Sequence, residues 1–376
     1  MKVGFSSIKL GSLTKKHLGD VVRDSWACEG PKVAQLEKEW GKLFGTRYNI
    51  AVSSGTAGDT AACLSLYDCN SKYGERNEII APALAFAAVG ESIVMSGFFP
   101  RFVDIERETL NINPRKIEEN ISSRTRAIMA VHTMGKPCEM DTIMQIARKH
   151  NLLVIEDACE AHGARYKKKN VGSWGDMAVY SCYAAHLIYC GEGGMVSTNN
   201  KHLAEVIRSV RTHGRKNGKK EFNHVRLGFN GKMNDLEAAV GLSQIGNFQK
   251  IFARRRENLH YLLEKTHDLK AFAYFNSEGQ YDVVCGHAFS ITLKDPRYDC
   301  KKLATTMKRK NVSYKLNFKS MPTQQPAFAF LGYNSGDFPE AEYVGENGIH
   351  IGIHQGLRKR HLDYVSDILH RYFDQF

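Results

Sequence analysis

Residues 152–164 read LLVIEDACEAHGA and place a short apolar run directly before a group of acidic residues. The run Leu152–Ile155 is typical of a buried strand, because it is brief, continuous and rich in branched side chains. Asp157 would then stand at the carboxyl end of this strand, where parallel sheets bind ligands. Asp157 could hold a protonated ring nitrogen or cap a helix, and the second role is the commoner one. Glu156 and Glu160 could each be merely solvated.

The surrounding sequence predicts an α/β fold, because helical and strand-like segments alternate from about residue 30 to 250. This alternation is the pattern of a parallel sheet covered by helices. Further strands are predicted at Asn49–Val52, Ile79–Ala81, Ala127–Val131 and Met177–Ser181. Helices are predicted at Val33–Phe44, Asp59–Leu66 and Asp141–His150. A strongly amphipathic helix is predicted at Asp235–Lys250, and a charged helical stretch continues it at Ile251–Lys265.

The length of 376 residues suits two domains, since single cores rarely grow beyond about 250 to 300 residues. We predict a large α/β domain at 1–250 and a smaller α+β domain at 251–376. The second part contains a strand-like stretch at His287–Leu293, a helical stretch at Cys300–Lys310 and a final helix near Phe376.

Composition indicates a globular protein of a reducing compartment, and we expect it to be cytoplasmic. The opening residues lack the apolar core of a signal peptide, and no segment predicts membrane insertion. The nine cysteines are scattered without a CxxC pair, so we expect no bound metal. The net charge of +12 is compatible with a diphosphate-bearing substrate. Nucleic acid is not an expected partner, because the basic residues are dispersed. Lys167–Lys169 and Arg254–Arg256 are interpreted as solvated surfaces.

Two more segments bring small residues to the ends of predicted strands. Residues 52–58, VSSGTAG, join a strand to a helix, where backbone N–H groups could bind a phosphate or form an ordinary capped turn. Residues 181–194 contain SCYAAH and then a glycine cluster, which again indicates backbone close to a ligand. His186 taken alone is more typical of a structural histidine. The three segments occurring in this order in one chain favour a binding site.

Six segments together closely resemble the DegT/DnrJ/EryC1/StrS family of sugar aminotransferases and dehydratases. They are SSGTAG at 53–58, PALAF at 82–86, EDACEAHGA at 156–164, GSWGDMAVYS at 172–181, GEGGMV at 191–196 and LGFNGKMNDLEAAVGLSQI at 227–245. The resemblance runs from about Leu10 to the last helix.

This resemblance implies a fold type I, aspartate aminotransferase-like homodimer. It also implies pyridoxal phosphate or pyridoxamine phosphate as cofactor, a nucleotide-linked 4-keto-6-deoxy sugar as substrate, and an amino donor, typically glutamate. By motif it assigns the cofactor's phosphate to Thr56, Ala57 and Ser181, the face of its ring to Phe86, its ring nitrogen to Asp157, and a further phosphate contact, made from the neighbouring subunit, to Asn230.

Two departures from the family pattern change the expected reaction. His186 stands where aminotransferases have the Schiff-base lysine, and no lysine lies between Lys169 and Lys201. An imidazole is not a primary amine, so we expect the cofactor to be held without a covalent bond. Glu160 stands where many members have glutamine beside the phenolic oxygen of the ring. Both features resemble the histidine-containing GDP-4-keto-6-deoxymannose 3-dehydratase subgroup.

The two departures predict dehydration at C3 of the sugar, with His186 as base and then as acid. Its unperturbed pKa of about 6.5 would leave both forms accessible at neutral pH. A related dehydratase type uses an iron–sulfur cluster, which needs about four closely placed cysteines. After residue 190 only Cys285 and Cys300 remain, so no cluster is expected.

Two other hypotheses remain open on the sequence. The chain could be an aminotransferase whose lysine was replaced, as an engineered or relic protein, although Cys182, Tyr183 and Ala185 also differ from the usual neighbours of that lysine. It could also be a non-enzymatic regulator that binds the cofactor or a sugar nucleotide. The sequence does not identify the nucleotide or the hexose.

Overall fold

The computed structural model describes residues 1–69, 75–216 and 223–376. The strands are β1 (Tyr48–Val52), β2 (Glu78–Pro82), β3 (Phe99–Val103), β4 (Thr125–Val131), β5 (Leu153–Asp157), β6 (Arg165–Tyr166), β7 (Lys169–Asn170), β8 (Met177–Ser181), β9 (Gly194–Thr198), β10 (Ala273–Phe275), β11 (Asp282–Val283), β12 (Ala288–Leu293), β13 (Tyr314–Leu316) and β14 (Gly348–Gly352).

The α-helices are distributed between and around the strands along the chain. They are α1 (Ser12–Asp24), α2 (Pro31–Phe44), α3 (Gly55–Ser65), α4 (Ala88–Met95), α5 (Pro114–Glu119), α6 (Met140–His150), α7 (Lys201–Val210), α8 (Asp235–Ile245), α9 (Phe248–Lys265), α10 (Cys300–Arg309), α11 (Met321–Gln324), α12 (Pro339–Asn347) and α13 (Lys359–Phe373). Within the described ranges, none of the helices is both long and apolar enough to cross a membrane.

The central sheet has seven strands in the order β1-β9-β8-β5-β4-β2-β3. Neighbours from β3 to β8 run parallel, as predicted. Strand β9, which was not predicted, runs antiparallel to both β8 and β1, so the sheet is mixed at this end. The cause is the connection: residues 182–193 contain no helix, and a parallel crossover needs one or a comparably long segment.

Both faces of this sheet are covered, which explains the continuous apolar runs of its strands. Ile79 and Met129 face a core shared with α3, whereas Ile80 and Ile128 face a separate core shared with α6. The α/β prediction from alternating segments is therefore confirmed for this part of the chain.

A second sheet lies in the C-terminal part, with four antiparallel strands in the order β10-β12-β14-β13. A small three-stranded sheet joins the two parts, since β11 pairs with β6. The helical region around residue 250 is interrupted at Gly246–Asn247, and α9 runs unbroken across residue 250. The division into domains at 250 and 251 stays a prediction.

Helix α8 differs from its predicted amphipathic character. It packs against both α1 and α2, and its buried residues are distributed around the helix rather than along one stripe. Small residues such as Ala238, Ala239 and Gly241 permit this close packing on several sides.

A pair of glycine substitutions tests the packing of α3 on the sheet. A Cβ at Gly58 in α3 would lie 2.6 Å from Cγ1 of Val179 in β8, so Gly58→Ala should destabilise the fold by about 1 to 3 kcal/mol. Gly19 in α1 has open space where its Cβ would stand, so Gly19→Ala should stabilise by up to about 1 kcal/mol. Urea unfolding of both variants measures the difference, and equal effects would contradict this packing.

Candidate functional site

A cavity of about 700 Å³ opens at the carboxyl edge of the central sheet and is closed from the other side by the second sheet. Parallel strands end at one edge, so residues distant in sequence meet there. Of the residues predicted for the site, those lining the cavity are Thr56, Phe86, Asp157, Glu160, Ser181 and His186. Ala57 belongs to the same turn but does not line the cavity, and Asn230 does not line it within this chain. The proposed contribution of Asn230 across a dimer interface stays a prediction.

The N-terminus of α3 forms one wall of the cavity. Ser54 caps it by accepting a hydrogen bond from the backbone N–H of Ala57 at 3.0 Å. A Cβ on Gly55 would lie 2.7 Å from Cβ of Ser181, so only glycine allows this close approach of the turn to β8. The helix terminus and the Ser181 hydroxyl therefore lie side by side, an arrangement suited to an anion.

Phe86 and Asp157 present a flat apolar face and a carboxylate to the same cavity. The Phe86 side chain is 64% exposed, so its ring is available for stacking. Asp157 is buried and accepts a hydrogen bond from the Cys159 N–H at Oδ1, 3.0 Å away. Burial raises the pKa of Asp157, and its neighbour Asp59 on α3 is likewise buried.

His186 is held as a neutral base. Its Nδ1 lies 2.8 Å from the carbonyl oxygen of Ser181, which can only accept, so Nδ1 carries the hydrogen and Nε2 keeps its lone pair. Burial, together with the neighbouring His287, lowers the pKa of His186 to about 3, although Glu160 opposes this shift. The expectation that both forms are accessible at neutral pH is wrong, because desolvation disfavours the imidazolium.

Glu160 lies among three histidines, of which only His186 was predicted as a site residue. Its Oε1 is 3.3 Å from Nε2 of His287, and its Oε2 accepts the N–H of Met134 at 2.7 Å. Burial opposes the charged form, but the adjacent His287 outweighs it and lowers the pKa of Glu160 to about 2. Glu160 is thus a fixed carboxylate. His350 completes the group, and burial lowers its pKa to about 3.

Arg255 binds the loop of His186 to the second sheet. Its guanidinium donates to the carbonyl oxygens of Ala185 at 3.2 Å and of His186 and His287 at 3.3 Å. Arg255 is only 2% exposed, so its interpretation as part of a solvated helix face is wrong. The signal available in the sequence was its position among apolar residues of α9, one helical turn from Ile251 and Leu259.

Glu156 is also not solvated, so that interpretation of its side chain is wrong. It is fully buried and accepts the backbone N–H groups of Gly172, Trp174 and Gly175, each at 2.7 Å. Its role is to hold the loop before β8 against β5. Lys167, in contrast, lies on the surface as predicted and pairs with Asp141.

Two lysines from the second sheet and its following loop, Lys315 and Lys319, also line the cavity. Both lie far from His186 in the sequence. The search for a replacement lysine between Lys169 and Lys201 therefore did not include them. Nζ of Lys315 lies 4.7 Å from the ring centroid of Phe5 and 5.7 Å from that of Tyr183.

Known proteins resemble this chain over almost its whole length. The model of the DegT/DnrJ/EryC1/StrS aminotransferase family matches residues 9–370. The chain is 31% identical over 371 residues to the dTDP-4-dehydro-2,6-dideoxy-D-glucose 3-dehydratase of Saccharopolyspora spinosa, a match covering 90% of this chain and 79% of that protein.

Two solved structures have the same fold. The Helicobacter pylori aminotransferase PseC, involved in pseudoaminic acid biosynthesis, superposes with a TM-score of 0.91 at 24% identity, over 100% of both chains. The Escherichia coli GDP-4-keto-6-deoxy-D-mannose-3-dehydratase with bound hydrated PLP gives 0.89 at 24% identity, over 98% of this chain and 99% of that one. The predicted fold type I is confirmed, and it is common to an aminotransferase and a dehydratase.

Replacing Arg255 tests the connection between the two parts of the site. Arg255→Met leaves three buried carbonyl groups without their donor, so the free energy of unfolding should fall by about 3 kcal/mol or more. The neighbouring Arg256→Met is the control, because its ion pair with Glu278 is partly exposed and should contribute under about 1 kcal/mol. Equal losses in urea unfolding would contradict the special role of Arg255.

Proposed function

We propose, from the premise that this chain belongs to the DegT/DnrJ/EryC1/StrS aminotransferase family, that it removes the C3 hydroxyl group of a nucleotide-linked 4-keto-6-deoxy sugar. Members of this family are sugar-modifying enzymes that use pyridoxal phosphate. The observation that carries the finer proposal is the neutral, anchored imidazole of His186 at the position where a transferring lysine would stand.

The residues of the cavity fit pyridoxal phosphate or pyridoxamine phosphate. The close approach of Gly55 to Ser181 leaves a helix terminus and a hydroxyl group for the phosphate, through Thr56, Ala57 and Ser181. The buried carboxylate of Asp157 suits a protonated ring nitrogen, and the exposed ring of Phe86 suits the face of the pyridine. Asn230 is proposed to reach the phosphate from the partner subunit of a homodimer.

Pyridoxamine phosphate bound by these residues would supply a primary amine for the C4 ketone and a ring able to accept electrons. His186 would take the proton from the exocyclic carbon of the bound cofactor at Nε2, the ring nitrogen that keeps a free lone pair. Because burial lowers the pKa of its imidazolium to about 3, the proton is readily released again to the departing C3 hydroxyl group. The same low pKa keeps His186 neutral between turnovers.

Glu160 supports proton uptake by His186, whereas His287 acts on His186 in the opposite sense. The Glu160 carboxylate is fixed by the Met134 N–H and lies beside His287, whose ring centroid is 5.0 Å from that of His186. A carboxylate at this place stabilises a transient positive charge on His186 without moving. Glutamine would keep the hydrogen-bonding shape but would remove this charge.

The complete reaction balances with glutamate as amino donor. The sugar loses one oxygen atom, and glutamate becomes 2-oxoglutarate with release of ammonia. An aminotransferase would instead place an amino group on C4 of the sugar. A regulator would bind without turnover. The dehydratase, the aminotransferase and the regulator would give a deoxy sugar, an amino sugar and no product, respectively. One incubation therefore distinguishes the three hypotheses.

We expect this incubation to give a sugar nucleotide lacking one oxygen atom, as detected by mass spectrometry, together with 2-oxoglutarate. The protein is supplied with pyridoxal phosphate, glutamate and a nucleotide-linked 4-keto-6-deoxyhexose. His186→Asn should lower the rate by about 10² to 10⁴, since it removes the acid and base group. The exposed His202→Asn, at the start of α7, is the matched control and should keep the full rate.

Formation of an amino sugar by the unmodified protein would contradict dehydration. Conversion of the cofactor to its amine form by glutamate, without change in the sugar, would favour a relic of an aminotransferase. An unchanged sugar and cofactor would favour the regulator.

Borohydride reduction tests whether the cofactor is held without a covalent bond. After reduction of the protein loaded with pyridoxal phosphate, the denatured chain should keep its unmodified mass. His186→Lys restores a primary amine at the loop and should give a chain carrying the cofactor. An adduct on Lys315 or Lys319 in the unmodified chain would show that the C-terminal part supplies the amine.

A further inference from the structure

Asp59 is a buried acid that the proposed reaction does not use. It lies in α3, one turn after the capped N-terminus, with a relative exposure of 1%. Its Oδ1 has no hydrogen-bond partner among the residues described in the structure. Most other buried residues of this helix are small or apolar, so a carboxyl group here requires an explanation.

The Asp59 carboxyl group lies against the residue proposed to hold the ring nitrogen. One side-chain atom from each of Asp59, Asp157 and Cys159 lies within 4.8 Å of the other two. Asp157 uses its Oδ1 for the Cys159 N–H, and Asp59 lines the same cavity. Two carboxyl groups therefore share one buried space below the position proposed for the pyridine.

Two ionised carboxylates at this distance in a dry environment repel one another strongly, so one of them retains a proton. Burial, followed by the charge of Asp157, raises the pKa of Asp59 well above its usual range. Asp157 is the less strongly shifted of the two, because the Cys159 N–H stabilises its charged form.

The other titratable groups around this pair do not compensate a second charge. Burial raises the pKa of both Cys63, on the same helix, and Cys159, so these thiols stay neutral. Glu160 adds a further negative charge near Asp157, while His132 acts on Asp157 in the opposite sense.

We infer that Asp59 and Asp157 form a dyad with a single negative charge, in which Asp59 is the protonated partner and limits the charge offered to the cofactor to one. This inference rests on the proposed cofactor site. Asp59 is a positioning residue: its neutral form leaves Asp157 as the one charge opposite a protonated ring nitrogen. An ionised Asp59 would put two negative charges against one positive charge.

The pH dependence of stability in the cofactor-free full chain tests the first half of the inference. Because the pKa of Asp59 is raised in the folded state, the folded protein holds a proton that the unfolded chain loses above about pH 4, so stability falls with rising pH through this window. Asp59→Asn removes that loss. The ratio of folding constants, variant over unmodified protein, should rise by up to about tenfold per pH unit from about pH 4 upward.

Two further variants keep this measurement decisive. Asp24→Asn at the exposed end of α1 removes one charge from a solvated carboxyl group and should give a ratio that stays flat. Asp59→Leu should reproduce the rising ratio if the asparagine variant does not fold. A flat ratio for both Asp59 variants would overturn the inference, whatever the cofactor does.

Proton exchange on cofactor binding tests the coupling to Asp157. Calorimetry of pyridoxal phosphate binding in buffers of different ionisation enthalpy gives the number of protons taken up or released. At neutral pH we expect the same number for the unmodified protein and Asp59→Asn, because a protonated Asp59 carries no charge that asparagine would remove. A difference of about one proton would show that Asp59 is ionised before or after binding and would overturn the dyad. Absence of binding to the unmodified protein would instead contradict the proposed function and leave the stability result standing.

Discussion

The candidate site depends on a single buried guanidinium. Arg255 lies in α9, yet its donors satisfy carbonyl groups in the His186 loop and at His287 just before β12. A guanidinium has five N–H donors in a rigid plane, so it can fix several backbone groups that a lysine could not. The two histidines belong to different parts of the chain, and this contact sets the distance between them. Everything proposed for proton transfer at Nε2 requires that distance.

Around this framework the charges are distributed unevenly. Glu160 is a fixed carboxylate, and burial keeps His186 and His350 neutral. Burial disfavours a positive charge on His186, and the Glu160 carboxylate is the group that acts in the opposite direction, as electrostatic stabilisation of a transient charge requires. On the opposite side, Asp157 and Asp59 are close enough to compete for one proton. In the proposed reaction, one wall of the site accepts a transient proton, and in the proposed dyad the other wall retains one.

The sequence predicted the residues at the edge of the central sheet better than those from the C-terminal part. Strand ends are marked by apolar runs, so the sequence alone assigns Asp157, Ser181 and His186 to one edge. His287 and Lys315 reach the cavity from the C-terminal part, and nothing local marks them, because their position depends on how the second sheet packs on the first. The sequence shows Asp59 as an acidic residue in a helix whose other residues are mostly small or apolar. Its proposed pairing with Asp157 could be recognised only from the distance between the two side chains. The burial of Glu156 could not be predicted from the sequence, because its partners are backbone N–H groups that no motif reveals.

The family alone does not choose between amination and dehydration, since relatives of both kinds have this fold. The features that favour dehydration are local. A histidine placed passively in a lysine site would have no reason to be anchored, whereas Nδ1 of His186 donates to its own loop at Ser181 and so directs Nε2 outward. Its carbonyl oxygen accepts from Arg255, and the nearby Glu160 carboxylate favours a positive charge on the imidazole. Each of these features places polar or charged side chains in the protein interior, which is unfavourable for folding. The proposed acid and base function of His186 would explain why the three features occur together.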